Sequence, residues 1–340
     1  MAKTKVTRQK EQIFHAPSFS RFPVKDLTPK RHLISLMELG PSELSRLVDR
    51  SVEFAGGQVD SRKLLASKIV GIYFVKPSTR TRSSFTVGAL RLGAQIVSYG
   101  SNDLQLVTGE SIEDTARVLS GYLDALIIRT NSCVTDMRAW AIQDKMAVIN
   151  AMSENEHPTQ AIADLSTIKE RFGRLDGIQI LYLGEGNNTA AALALAVAQT
   201  PGMKITFVTP EDYGLPCSFL HKAQALAGQH GATIDHHHSM NELPEKADVV
   251  YATRWQTMGV PHTDPNWRDK FRPYCVTQAI MMKVSKSKGT IFLHDLPAVY
   301  GEDVHEEVIN GEQSLAWRQA HHKMFSAMAI LEWCLNMPRC

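Results

Sequence analysis

The stretch Ser78-Thr79-Arg80-Thr81-Arg82 gathers hydroxyl and guanidinium groups within five residues. It follows an apolar run, Ile69 to Val75, that reads as a buried strand. It precedes Ser83 to Leu90, which reads as a helix. Where a strand hands over to a helix N-terminus, unpaired backbone N–H groups and the positive end of the helix dipole favour an anion. Arginine adds a planar fork of donors that matches phosphate. A capped helix with two surface arginines would use one hydroxyl and leave the density of donors unexplained. The chemistry implied is the gripping of a phosphate group.

Four further segments fall where strands should end. Arg129 closes the run 125–128, and His157-Pro158-Thr159-Gln160 comes soon after Asn150. Gly184-Glu185-Gly186-Asn187-Asn188 follows 179–183, and His294-Asp295-Leu296-Pro297-Ala298 follows Ile291-Phe292-Leu293. Ligands of open α/β sheets gather at the carboxyl ends of the strands. Each segment alone has an ordinary explanation: a structural histidine, a turn or cap at Asn-Asn, a solvated arginine. Their shared placement with the phosphate turn is what points to one site.

The elements that must position these groups alternate along the chain. Strands are expected at 69–75, 95–99, 125–128 and 147–150, then at 179–183, 204–208, 248–252 and 290–293. Helices are expected at 42–54, 83–90, 112–122 and 158–171, with one long helix or a pair of helices over 314–335. This is an α/β pattern of two doubly wound parallel-sheet domains joined by helices. The division expected is an N-terminal arm over 1–30, an anion-binding domain over 31–155 and a second domain over 156–317, with the terminal helix 318–340 returning to the first. A chain of 340 residues suits two domains. A net charge of +2 argues against nucleic-acid binding by bulk electrostatics. The cysteines (Cys133, Cys217, Cys275, Cys334 and Cys340) are odd in number and lack metal spacing, which fits reduced thiols and a cytoplasmic setting. No apolar run is long enough to span a bilayer. The basic segment Met1 to Phe22 has no apolar core and does not read as a secretory signal; a frayed tail or an arm on a partner subunit is expected.

The combination resembles the aspartate/ornithine carbamoyltransferase superfamily from about Lys30 to Leu335. The sharpest matches are Ser78-Thr79-Arg80-Thr81-Arg82, the run Gly109-Glu110-Ser111-Ile112-Glu113-Asp114-Thr115-Ala116-Arg117-Val118-Leu119, and His157-Pro158-Thr159-Gln160 with Asp164-Leu165. The resemblance implies attack by an acceptor amine on the carbonyl of carbamoyl phosphate, with phosphate leaving. It implies that Ser78, Thr79, Arg80 and Thr81 hold the phosphate and that Arg129 reaches both phosphate and carbonyl. His157 and Thr81 would polarise the carbonyl oxygen, and Gln160 would hold the carbamoyl amide. Leu296 and Lys323 join the carbamoyl phosphate set. Lys323 stands where ornithine-type enzymes place an arginine. Gln105 lies in a loop that, in the relatives, reaches into the neighbouring subunit's site, which implies a homotrimer with shared active sites. No metal and no cofactor is expected.

The acceptor segments mix two patterns. Asn188 and Met258-Gly259 look ornithine-like, although Thr257 replaces a serine and Thr253 falls where ornithine-type enzymes carry an aspartate. Thr253-Arg254-Trp255-Gln256 looks instead like the Thr-Arg-x-Gln of aspartate-type enzymes. Asp295 replaces a cysteine of the one type and a proline of the other. A carboxylate there can hold an ammonium, take its proton or simply cap the next segment. The acceptor set is therefore Asn188, Thr253, Arg254, Gln256, Met258 and Asp295, with Arg129, His157, Thr81 and Asp295 as the catalytic groups. The expectation is a specialised amino-acid-like acceptor. Plain ornithine, giving citrulline, is the alternative within this chemistry, and a non-catalytic binding homologue is the alternative outside it. Gly184-x-Gly186 after a strand also raises a nucleotide-binding dehydrogenase, but the third glycine of that fingerprint is missing. His236-His237-His238 reads as an exposed polar patch rather than a metal site.

Overall fold

The computed structural model describes residues 31–57, 59–257 and 260–335. The arm 1–30, Met258, Gly259 and Cys340 lie outside the described residues.

Two fully parallel sheets organise the chain. The first takes the order β2-β1-β3-β4, from β1 (Ile69–Phe74), β2 (Gln95–Tyr99), β3 (Ala125–Arg129) and β4 (Ala147–Met152). The second takes the order β7-β6-β5-β8-β9, from β5 (Gln179–Leu183), β6 (Lys204–Val208), β7 (Thr233–His237), β8 (Val249–Ala252) and β9 (Ile291–His294). Strands β3, β4 and β8 are buried along their length, as expected where helices cover both faces and the sequence reads as an unbroken apolar run. Edge strand β7 was not foreseen. Its residues carry too much histidine and polarity to read as a strand, because only one neighbour and one face enclose them. The histidine triplet lies on and just after this edge. His236 and His237 are half-buried, with His236 sharing a hydrogen bond with Thr209 at 2.9 Å, whereas His238 is exposed as expected from sequence.

Helix Pro158–Phe172 connects the two sheets. Pro158 opens it with a preset φ, and Gly173 closes it at φ 72°, a left-handed conformation that favours glycine. The helix is buried from Pro158 to Ile168. Helix Asn188–Ala198 is wholly buried, and its run of alanines lets it lie close to its neighbours. The C-terminal helix Ala316–Leu335 packs on helices Pro41–Ala55, Arg80–Arg91 and Pro158–Phe172, so it spans back to the first sheet's helices. Arg50 fastens it by a bidentate pair to Glu332, at 2.7 and 2.8 Å. No helix among the described residues is long and apolar enough to cross a membrane.

The phosphate turn shows one difference in register. The helix after β1 begins at Arg80 rather than Ser83, so Thr81 and Arg82 lie in its first turn. Thr79 takes the cap position without a side-chain cap bond, leaving its hydroxyl available. Helices Val134–Trp140, Asn188–Ala198 and Cys217–His230 were not foreseen.

Candidate functional site

The carboxyl ends of both sheets open on one cleft. Ser78 to Thr81 follow β1, Arg129 ends β3, and His157 follows β4. From the second sheet come Asn187 to Thr189 after β5, Thr253 to Thr257 after β8, and Asp295 to Pro297 after β9. Lys323 enters from the C-terminal helix, and Gln160 from the connecting helix. Every predicted site residue lines this cleft except Gln105 and Met258. Gln105 is exposed on the 3-10 turn Gln105–Thr108 and accepts from the Thr108 hydroxyl at 2.8 Å. Met258 lies outside the described residues. Arg82, the second arginine of the motif, stacks over Phe74 with its guanidinium 5.2 Å from the ring centroid and stays out of the cleft.

The electrostatics are lopsided. Four cationic side chains line the cleft (Arg80, Arg129, Arg254 and Lys323) against a single carboxylate, Asp295. Arg129 is buried, its Nη1 donates to Thr81 Oγ1 at 3.4 Å, and its Nε is buried without an acceptor. Burial, and then the charge of Arg80, pull the Arg129 guanidinium down to about 10. Arg80 is lowered by burial too, with Asp295 opposing. An incoming anion would supply the acceptor that Nε lacks and cancel the repulsion between the two guanidiniums. His157 is driven well below its ordinary value, first by burial and then by Lys323 and Arg129. It is therefore a neutral imidazole at pH 7, able to donate one N–H without bringing a further charge.

Gln160 is held by a buried network. Its Nε2 donates to Asp164 at 2.7 Å, while Lys323 donates to its Oε1. Gln319 donates to the same Asp164 oxygen at 2.6 Å, and the Tyr251 hydroxyl donates to the other at 3.1 Å. Burial raises the Asp164 carboxyl and lowers the Lys323 ammonium. One N–H of Gln160 is taken by Asp164 and one lone pair of its oxygen by Lys323, which leaves one N–H and one lone pair for a ligand.

Asp295 accepts from Thr189 Oγ1 at 2.9 Å and from Thr253 Oγ1 at 3.1 Å. Sequence reasoning missed Thr189, along with Met152, Asn187, Thr257 and Pro297 as lining residues. Position supplied a signal: Thr189 directly follows Asn188, and Thr257 follows Gln256. Asn187 acts as the cap expected of a turn residue, accepting from the N–H groups of Thr189 and Ala190. The Asn188 side chain donates to the Ser153 carbonyl at 2.8 Å, which ties the two sheets' loops together.

The glycines that suggested a nucleotide fingerprint serve the packing of the protein itself. A Cβ on Gly186 would lie 2.3 Å from the backbone of Gly214 and Leu215. The turn is filled by another loop, with Gly186 N–H donating to the Tyr213 carbonyl at 2.7 Å, and so is not open to a pyrophosphate. Among the described residues no group of three or more His, Cys, Asp or Glu side chains is placed to hold a metal ion.

Comparison with known proteins agrees with this arrangement. Residues 31–170 match the aspartate/ornithine carbamoyltransferase carbamoyl-P binding domain, and residues 176–334 match the Asp/Orn binding domain of the same family. The ornithine carbamoyltransferase of Nostoc punctiforme is 37% identical over 302 residues, covering 88% of this chain and 96% of that protein. That of Methanothermobacter thermautotrophicus is 36% identical over 306 residues, covering 90% and 99%. The solved ornithine carbamoyltransferase from Pyrococcus furiosus superposes with a TM-score of 0.84 at 32% identity, covering 92% of this chain and 99% of that one. Two parallel-sheet domains with the strand-end cleft between them, and a family match across nearly all the described residues, show that this chain belongs to the aspartate/ornithine carbamoyltransferase family and is a carbamoyltransferase.

Proposed function

We propose that the protein transfers the carbamoyl group of carbamoyl phosphate to the side-chain amine of ornithine, releasing phosphate and citrulline. The carrying observation is the cleft's charge: paired guanidiniums at Arg80 and Arg129, with an acceptor lacking at Arg129 Nε, face a single carboxylate at Asp295. The cations suit a phosphate, and the carboxylate suits an incoming ammonium.

In this reading Ser78, Thr79, Arg80 and Thr81 hold the phosphate, and Arg129 bridges phosphate and carbonyl. Neutral His157 and the Thr81 hydroxyl donate to the carbonyl oxygen as charge develops on it. The Gln160 oxygen accepts from the carbamoyl N–H₂. Leu296 and Lys323 complete that side. The amine nitrogen bonds to the carbonyl carbon, the carbon–oxygen bond to phosphate breaks, and phosphate leaves with the electron pair and takes the second proton that the attacking nitrogen must lose. Asp295 holds the acceptor's ammonium and takes its proton before attack. Asn188, Thr253, Arg254, Gln256 and Met258 complete the acceptor side. Much of the acceleration comes from holding the two substrates in line.

The expectation of an acceptor other than ornithine finds no support in the comparisons, whose relatives are ornithine carbamoyltransferases. The geometry also softens the departure that prompted it. Thr253 stands where a carboxylate was expected, but it donates directly to Asp295 at 3.1 Å. The negative charge absent from one strand end is thus supplied by the next. Two further features belong to this proposal. The chain acts as a homotrimer, with exposed Gln105 completing a neighbour's site, and it works in the cytoplasm, consistent with free Cys133, Cys217 and Cys275. The domain division at 155/156 follows the same reading.

The test is ureido-product formation from carbamoyl phosphate across ornithine, lysine, 2,3-diaminopropionate and aspartate. Citrulline formed fastest is the expected result. A faster product from another amine would overturn ornithine as acceptor, and phosphate release that no amine accelerates would overturn transfer altogether.

A further inference from the structure

Glu185 has no place among the cleft-lining residues, yet its side chain is only 14% exposed and carries an acid. It sits in the turn after β5, between two glycines that the packing requires. Gly184 has φ 128°, and a Cβ there would meet the side chain and backbone of Thr253 at 3.1 and 3.2 Å. The turn therefore seats Thr253 directly. Four residues further on, Glu185 Oε2 accepts from both the backbone N–H and the hydroxyl of Thr257, at 3.0 and 2.9 Å. His262 meets the same carboxylate: its Nε2 lies 3.5 Å from Glu185 Oε1 and donates to the Trp255 carbonyl at 2.9 Å.

Between these anchors the chain alternates. Trp255 points down into an aromatic cluster with Trp267 and Phe271, whereas Arg254 and Gln256 line the cleft. The stretch 253–257 lies in no helix or strand and depends on such side-chain anchors for its conformation. Burying a carboxylate is unfavourable unless hydrogen bonds repay it, and here Thr257 provides two.

We infer that Glu185 is a positioning residue for the acceptor: its largely buried carboxylate clamps Thr257 and meets His262, and so aims Arg254 and Gln256 at the acceptor substrate without touching it. The inference rests on the reading of Arg254 and Gln256 as acceptor-binding. Burial also raises the Glu185 carboxyl, with Thr257 and His262 opposing.

The test compares Glu185→Ala, Glu185→Gln and Thr257→Val with wild type, using the best amine found for the wild type in the acceptor panel. Glu185→Ala is expected to raise the acceptor KM about tenfold or more while the carbamoyl phosphate Kd stays within about twofold. Glu185→Gln, which keeps one acceptor oxygen for Thr257, falls between Ala and wild type. Limited trypsin digestion gives a readout independent of turnover: cleavage after Arg254 should quicken in the order wild type, Glu185→Gln, Glu185→Ala. If the alanine variant does not fold, Glu185→Gln and Thr257→Val carry the decision. An equal weakening of carbamoyl phosphate, or unchanged acceptor KM and unchanged cleavage, overturns the clamp. A wild type that ignores ornithine but uses another amine overturns the acceptor assignment alone.

Discussion

Replacing Arg129 by methionine should make the ligand-free protein more stable and the enzyme unable to hold carbamoyl phosphate. The guanidinium is charged at pH 7 in both the folded and the unfolded chain. Its folded value, about 10, lies below the ordinary 12.5, so the fold bears the disfavour in full at every pH below that value. The difference corresponds to about 3 kcal/mol. Methionine removes this term but gives up the Thr81 contact and leaves a little space, which costs on the order of 1–2 kcal/mol. The net is a gain of about 1–2 kcal/mol, read as a melting temperature a few degrees higher without ligand. Binding moves the other way. Two charge-assisted hydrogen bonds to the substrate are worth about 1.5–3 kcal/mol each, so carbamoyl phosphate affinity should fall at least about a hundredfold. Melting curves with and without carbamoyl phosphate, together with calorimetric titration, measure both quantities. A variant that melts lower than wild type and binds carbamoyl phosphate as wild type does would refute the argument that Arg129 is held charged, buried and awaiting an anion.

Three further outcomes are expected. Asp295→Asn should raise the acceptor KM tenfold or more while tightening carbamoyl phosphate, because it removes the one negative charge beside Arg80 and Arg129; steady-state kinetics and titration separate the two. Arg80→Ala should weaken carbamoyl phosphate strongly and Arg254→Ala should act on the acceptor constants, and equal effects on both substrates would contradict that division. Glu156 is pushed up to about 7 by burial, against hydrogen bonds from Ser35 and Leu36. The fold therefore holds its proton more tightly than the unfolded chain does. That contribution is present below about pH 4.5 and is lost as pH rises through about 7. Denaturation midpoints at pH 5, 6 and 7.5 should fall in wild type and fall less in Glu156→Gln.

The sequence made the strand-end logic visible because β1, β3, β4, β5 and β9 are largely apolar and each is followed by a polar turn. Ser78 to Thr81, Arg129, His157 and Asp295 were found that way. Groups joined only through space were not. Asp164 meets Gln319 across 155 positions of chain, and no local pattern announces that pairing. Arg82 shares a motif with Arg80, yet helical geometry turns it onto Phe74. Strand β7 escaped because an edge strand ending in histidines carries little of the usual pattern. The specialised acceptor, which finds no support in the comparisons, rested on Thr253, Arg254, Thr257 and Asp295 taken as separate departures. That Thr253 donates to Asp295 is a fact of three dimensions.

The central claim is best tested by a crystal structure of the protein soaked with a phosphonate analogue of carbamoyl phosphate. The account predicts the phosphonate oxygens on Ser78 to Thr81 and Arg129, the carbonyl oxygen within hydrogen-bonding distance of His157, and the carbamoyl nitrogen facing Gln160. An empty cleft at saturating analogue, or an analogue bound away from Arg80 and Arg129, would contradict it.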